Sequence, residues 1–203
     1  DELPEFSRSV LEVLREPMES GEIMISRIAA QTNFPASFQL IAAMNPCPCG
    51  YLGEQRCSCT PDQVNRYRSK ISGPLLDRID LQVQVSKIQN RQLLQQGTAA
   101  ESSRGESNQE IQQRVSRARK YQMQRQGKIN SQLSSQELKQ LCPLNPEQQE
   151  LMNSAIERFA LSARGFYRVL RVARSIADLE NRETTTTSDY QEALSYRVGP
   201  DSK

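Results

Sequence analysis

Four of the five cysteines in this 203-residue chain fall within thirteen residues, as Cys47-Pro48-Cys49 and Cys57-Ser58-Cys59. Four thiolates gathered in one short loop satisfy the tetrahedral preference of Zn2+. Zinc patterns usually leave two or more residues between paired ligands, so the single intervening residue here strains the chelate, and structural zinc, reduced thiols and oxidised disulfides all stay open. Cys142 stands alone and reads as a packed thiol. The chain has no histidine, which excludes Ser-His-Asp and Cys-His catalysis and every His-ligated metal site.

The other candidates are acids, an amide and arginines. Asp1-Glu2, if they end a hydrophobic strand, could hold Mg2+ on a phosphate through the aspartate and orient a water through the glutamate; two acids at a terminus are also ordinary solvated charge. Asn45 stands where an amide could orient an attacking water or a γ-phosphate, or could simply form a turn before Pro46. Arg78 follows a Gly-Pro turn and two leucines, which would set its guanidinium on a fixed stalk as an arginine finger; a surface pair with Asp77 or Asp80 is the alternative. Arg164, Arg168 and Arg171 share one helical face opposite Phe166 and Ala173; Arg164, in the first turn, could close over a γ-phosphate, while a solvated face suffices for Arg168 and Arg171. Seven basic residues against two acids lie between Arg104 and Lys128, and Arg114, Arg117, Arg125 and Lys128 share a sector that could hold a nucleic-acid backbone or be a merely soluble basic face.

These residues need elements to position them. Phe38 to Met44 is an apolar run ending at Asn45-Pro46, as expected of a strand buried on both faces whose carboxyl end carries Asn45. Ser7 to Pro17 reads as a helix, Glu22 to Ala29 as a strand, Thr32 to Ala36 as a turn and Leu81 to Val85 as a half-buried strand. Thr60-Pro61-Asp62-Gln63 caps a helix to about Ile71. Beyond a Gln/Ser-rich linker the pattern is helical. Starts are expected near Ser107, at Ser134 with Glu137, at Asn145 with Gln148, at Ser162 and around Thr187. Phe166, Val169, Leu170, Ala173 and Ala177 form the apolar face of the Ser162 helix, and Ile111, Val115, Ala118 and Gln122 a stripe on the first.

The expected fold class is α/β plus all-α: residues 1–88 as part of an α/β core, 89–110 as a linker, and 111–203 as a helical bundle. The net charge of +2 is uneven, because residues 1–88 carry nine Lys/Arg against eleven Asp/Glu and residues 89–203 seventeen against thirteen. The second part is therefore the more anion-facing. No apolar run approaches the ~20 residues that span a bilayer, so no membrane partner and a cytoplasmic location are expected.

The order of four motifs is more specific than any of them alone. Asp1-Glu2-Leu3-Pro4-Glu5-Phe6, Asn45-Pro46-Cys47-Pro48-Cys49-Gly50, Ser72 to Asp80 (SGPLLDRID) and Ser162-Ala163-Arg164-Gly165 together resemble the magnesium-chelatase-like AAA+ ATPases, and most of all the bacterial branch linked to competence and DNA branch migration. The resemblance implies that Asp1-Glu2 are the acidic Walker B pair, Asn45 the sensor 1 residue, Arg78 a finger acting in trans and Arg164 the sensor 2 arginine of a helical lid. The strand pair before Asn45 resembles the hairpin that this clade inserts ahead of sensor 1. It further implies ATP and Mg2+ as cofactors, a homo-oligomeric, hexameric ring, and DNA as the remodelled partner. The family's P-loop is missing, since no GxxxxGK[ST] occurs, and it would lie upstream of Asp1. This chain is accordingly expected to be a segment of a longer ATPase and to hydrolyse nothing alone. A motor subunit of a magnesium chelatase and a non-catalytic, zinc-stabilised nucleic-acid-binding module are the alternatives.

Overall fold

A computed structural model of the chain describes residues 1–27, 30–85 and 105–197. It divides into two compact units, Asp1–Ile79 and Asp80–Lys203. The expected Gln/Ser-rich linker lies mostly outside the described residues.

In the first unit, a 3-10 turn at Leu3–Glu5 leads into helix α1 (Arg8–Val13), where the Ser7 side chain accepts from the Val10 amide. Pro17 does not merely end this helix. It opens a new turn, α2 (Pro17–Ser20), because proline at the first helical position gives up an amide that would be unpaired anyway. Two antiparallel strands follow, β1 (Glu22–Arg27) and β2 (Ala30–Pro35), in a register that sets Ile23 opposite Phe34 and Ile25 opposite Thr32. The segment expected to turn at Thr32 to Ala36 is thus mostly strand β2.

The buried strand expected at Phe38 to Met44 does not form; the segment has no regular structure and Ile41 is 83% exposed. A strand is stable only with neighbours to take its ladder hydrogen bonds. Among the described residues, one backbone bond of that kind reaches the segment, from the Leu3 amide to the Ala43 carbonyl at 3.0 Å. Helix α3 (Pro61–Arg68) begins at Thr60, which with Gln63 forms a reciprocal capping box, and α4 (Gly73–Leu76) begins at Ser72. Leu3, Leu11, Ile71 and Leu75 form the small core of this unit, flanked by Met18 and Leu76.

The second unit is helical. Leu81 to Val85, expected as a half-buried strand, is irregular and exposed, with one bond from the Gln82 amide to the Tyr196 carbonyl at 2.7 Å. Five helices follow: α5 (Asn108–Gln126), α6 (Ser135–Leu141), α7 (Pro146–Phe159), α8 (Ala163–Leu179) and α9 (Thr187–Ser195). Capping boxes open α5, α6, α7 and α9, each closing two otherwise unpaired amides. Val169, Leu170 and Ala173 of α8 pack with Leu138, Met152, Ala155, Tyr190 and Ala193 in one core. On α5 only Ala118 and Gln122 of the expected stripe are buried; Ile111 and Val115 remain exposed.

The last two turns of α8 carry a charged centre. The Asp178 carboxylate, fully buried, accepts from both terminal nitrogens of Arg125 at 2.6 and 3.1 Å, from Arg174 at 2.9 and 3.2 Å, and from Asn130 at 2.7 Å. Arg174 also donates to the carbonyls of Arg182 and Glu183. Every charge in it is hydrogen-bonded, the condition under which burial is tolerated.

Candidate functional site

The four cysteines do converge. All four sulfurs lie within 4.8 Å of one another, with Cys47 to Cys49 at 3.4 Å, Cys49 to Cys57 at 3.6 Å and Cys47 to Cys57 at 4.0 Å. A tetrahedral zinc with ~2.3 Å bonds would hold its sulfurs about 3.8 Å apart, so these spacings bracket what the ion requires. They are too long for disulfides, and all five cysteines are free. Cys47 is fully buried; the other three are half-buried.

The thiols are electrostatically unequal. A backbone bond at Tyr51 leads the effects that bring Cys49 down to about 6. At Cys59 a backbone bond from Cys49 acts in the same sense, but the Cys49 side chain, burial and Cys47 outweigh it and push the thiol up to about 12. Cys57 is raised in the same way. One thiol ionises readily and its neighbours then resist, a conflict that a divalent cation among them resolves. A cleft of about 480 Å³ adjoins Cys49 and Cys59, lined also by Arg66, Lys70, Tyr67 and Glu5. Its two cations suit the net negative charge of a tetrathiolate metal centre.

Asn45 lies on this loop. It is exposed, and its backbone amide donates a hydrogen bond to the Tyr67 hydroxyl oxygen, whose pKa burial shifts above the ordinary tyrosine value while that bond lowers it. Arg68 Nε donates to the Pro46 carbonyl at 3.3 Å. Gly50, at a φ of 79° that disfavours side-chain-bearing residues, turns the loop back on Asn45. Nothing in the sequence pattern singled out Tyr67, Arg68 or Gly50 as supports of Asn45; the glycine closing CPCG was the available signal. Asp1 and Glu2 are exposed, and the Leu3 to Ala43 bond brings them to the segment that ends at Asn45.

Arg78 departs from its expected presentation. Its side chain is only 9% exposed, and within its own unit it donates to Glu19 at 2.5 Å, to the Arg15 carbonyl at 3.1 Å and to the Pro74 carbonyl at 2.7 Å. It is a brace among α1, α2 and α4 and not a free stalk, and its partner is neither Asp77 nor Asp80. Arg164 is exposed in the first turn of α8. The solvated face expected for Arg168 and Arg171 is corrected. Arg168 is buried and paired with Asp80, while Arg171 donates to the Leu133 carbonyl at 2.9 Å and burial holds its guanidinium below the ordinary arginine value.

The basic sector of α5 is also largely committed. Arg125 belongs to the Asp178 centre and is not available to a nucleic-acid backbone. Arg114 is paired bidentately with Glu106, and Lys128 with Glu137 at 2.7 Å. Arg117 is exposed.

Residues 1–93 match the family model described as magnesium chelatase, subunit ChlI, and residues 105–197 the one described as magnesium chelatase, subunit ChlI C-terminal. The chain therefore belongs to the magnesium-chelatase-like family, whose domains imply an AAA+-type fold. Among individual relatives, it is 43% identical over 199 residues to Competence protein ComM of Haemophilus influenzae, a match covering 98% of this chain and 38% of that protein. Uncharacterized protein YifB of Escherichia coli gives the same identity and coverage, and Uncharacterized protein Rv2897c of Mycobacterium tuberculosis is 38% identical over 201 residues, with 97% and 39% coverage. The chain thus spans well under half the length of these relatives. Among the described residues no helix is long and apolar enough to cross a membrane.

Proposed function

We propose that the full-length protein is an ATPase that couples hydrolysis, in a homo-oligomeric, hexameric ring, to the remodelling of DNA. The observation that carries this reading is the 43% identity, across nearly the whole chain, to a relative named Competence protein ComM. In this reading Asp1 holds Mg2+ on the nucleotide, Glu2 orients the attacking water, Asn45 orients water or γ-phosphate, and Arg164 closes from the first turn of a helical lid. The bond between the Asp1-Glu2-Leu3 segment and the Asn45 segment supports grouping the first three residues. Arg78 acts across a subunit border by exchanging Glu19 for the neighbour's phosphate. DNA backbone contact from α5 falls to Arg117, with the exposed Arg119 and Lys120 beside it, and not to Arg125. Residues 1–88 belong to the nucleotide-binding core and 111–203 to the lid, and Cys47, Cys49, Cys57 and Cys59 hold a structural Zn2+. The chain of 203 residues turns over no ATP, since it contains no P-loop sequence.

The test is ATP turnover by the full-length protein with and without DNA. Several-fold stimulation is the expected result; turnover indifferent to DNA contradicts the DNA reading. The description of the matched family models favours one second reading, a magnesium-chelatase motor, which would be selected by turnover indifferent to DNA but coupled to metal insertion into a porphyrin.

A further inference from the structure

Residues 36–60 contain no helix or strand, and they supply no side chain to the core of Leu3, Leu11, Ile71 and Leu75. Within that stretch Cys47 alone is buried, and its sulfur lies 3.4 Å from that of Cys49 and 4.0 Å from that of Cys57. Tyr51 and Leu52, at the turn between the two cysteine pairs, are exposed. Ordering a backbone costs roughly 1–2 kcal/mol per residue, and apolar burial in this loop does not supply it.

The loop nonetheless carries Asn45, two residues before Cys47. Apart from the sulfurs, three bonds among the described residues bear on that position: the Asn45 backbone amide to the Tyr67 hydroxyl oxygen, Arg68 Nε to the Pro46 carbonyl, and the Gly50 amide to the Cys47 carbonyl at 3.0 Å. The last closes the turn that leaves the Asn45 amide group 3.8 Å from where a side chain on Gly50 would begin. The second cysteine pair ends at Cys59, next to Thr60, whose hydroxyl caps α3. The four sulfurs therefore join the Asn45 end of one segment to the first turn of a capped helix.

We propose that metal bound at Cys47, Cys49, Cys57 and Cys59 is what positions Asn45, clamping its segment to the start of α3, so that loss of the metal frees Asn45 while the core of the first unit stays folded. This rests on the zinc reading of the cluster. The four cysteines are on this view positioning residues for the Asn45 amide.

Hydrogen exchange on the 203-residue chain, with one equivalent of Zn2+ and after chelation, tests it. Zinc is expected to slow exchange of amides 45–60 roughly tenfold or more, with amides of α1 and α4 changing less than about twofold, and the Cys57→Ser/Cys59→Ser variant to abolish the effect. In the full-length protein the same variant is expected to lower kcat roughly tenfold with the KM for ATP within about twofold and the number of nucleotide sites per protomer as in wild type, whereas an unfolded fraction would lower that number in step with turnover. Failure to retain zinc overturns the zinc reading and this inference together. Zinc that binds without slowing amides 45–60, or that slows the whole first unit uniformly, overturns this inference alone.

Discussion

The two units close their surfaces in opposite ways. In the second, the helices α6 to α9 bury one continuous apolar core, and Arg125, Arg174, Asn130 and Asp178 satisfy one another in a charged centre. In the first, four buried apolar residues form the core, while Phe38, Ile41 and Met44 lie open and the cysteine loop is held by sulfur. The contrast teaches that a helical stripe can be completed by neighbours nearby in sequence, whereas an apolar strand depends on partners that sequence proximity does not provide. It also locates the candidate chemistry, since Asn45 and the four-cysteine cluster lie in the less self-sufficient unit.

The sharpest way to break this contrast is at the charged centre. Asp178→Ala leaves two buried guanidinium groups without their carboxylate and is expected to destabilise the second unit by about 3–5 kcal/mol. Protection of amides in α8 and α9 against hydrogen exchange would report the loss, with those of α1 and α4 unchanged. Equal protection in the variant would show that the centre contributes little.

A smaller effect is expected in the first unit from Arg78→Ala. Glu19 and the Arg15 and Pro74 carbonyls lose their donor, at a cost of about 1–3 kcal/mol. Urea titration followed by exchange in α1 and α4 checks it. The same variant in the full-length protein addresses the finger role: turnover lower by roughly 10³-fold supports action across a subunit border, and a stability loss with turnover intact assigns Arg78 to bracing alone.

The smallest effect concerns the Glu137 cap of α6. The bond to Lys128, followed by those to the Ser134 hydroxyl and backbone, holds its carboxyl down at about 2. Because the folded value is depressed, this stabilisation is present above the ordinary glutamate value near ~4.3 and is lost as pH falls toward about 2. Chemical denaturation between those pH values should show wild type losing more stability than Glu137→Gln. Parallel curves would remove the cap from the stability of the second unit.

What was legible in the sequence follows the range of the interactions involved. Ser134 with Glu137 and Asn145 with Gln148 close capping boxes within four residues, so spelling alone placed α6 and α7. Val169, Leu170 and Ala173 were readable as core from helical periodicity. Phe38 to Met44 had the composition of a buried strand, but strand formation depends on a ladder that composition cannot supply. Arg168 looked solvated on a helical wheel because its partner, Asp80, lies 88 residues away. Arg174 and Asp178 stand four apart on one helix, and that spacing is itself a local signal of their pairing. The convergence of the cysteines was legible from their clustering; the tie from that cluster to Asn45 through Tyr67, Arg68 and Gly50 needed coordinates.

The most direct test of an ATPase whose water or γ-phosphate is oriented from this loop is steady-state turnover by full-length Asn45→Ala alongside its nucleotide affinity. Turnover reduced roughly 10²-fold or more, with nucleotide Kd within about threefold of wild type, is the expected result. Wild-type turnover in that variant would contradict the assignment of Asn45 and leave the loop as a metal-bound scaffold without a part in hydrolysis.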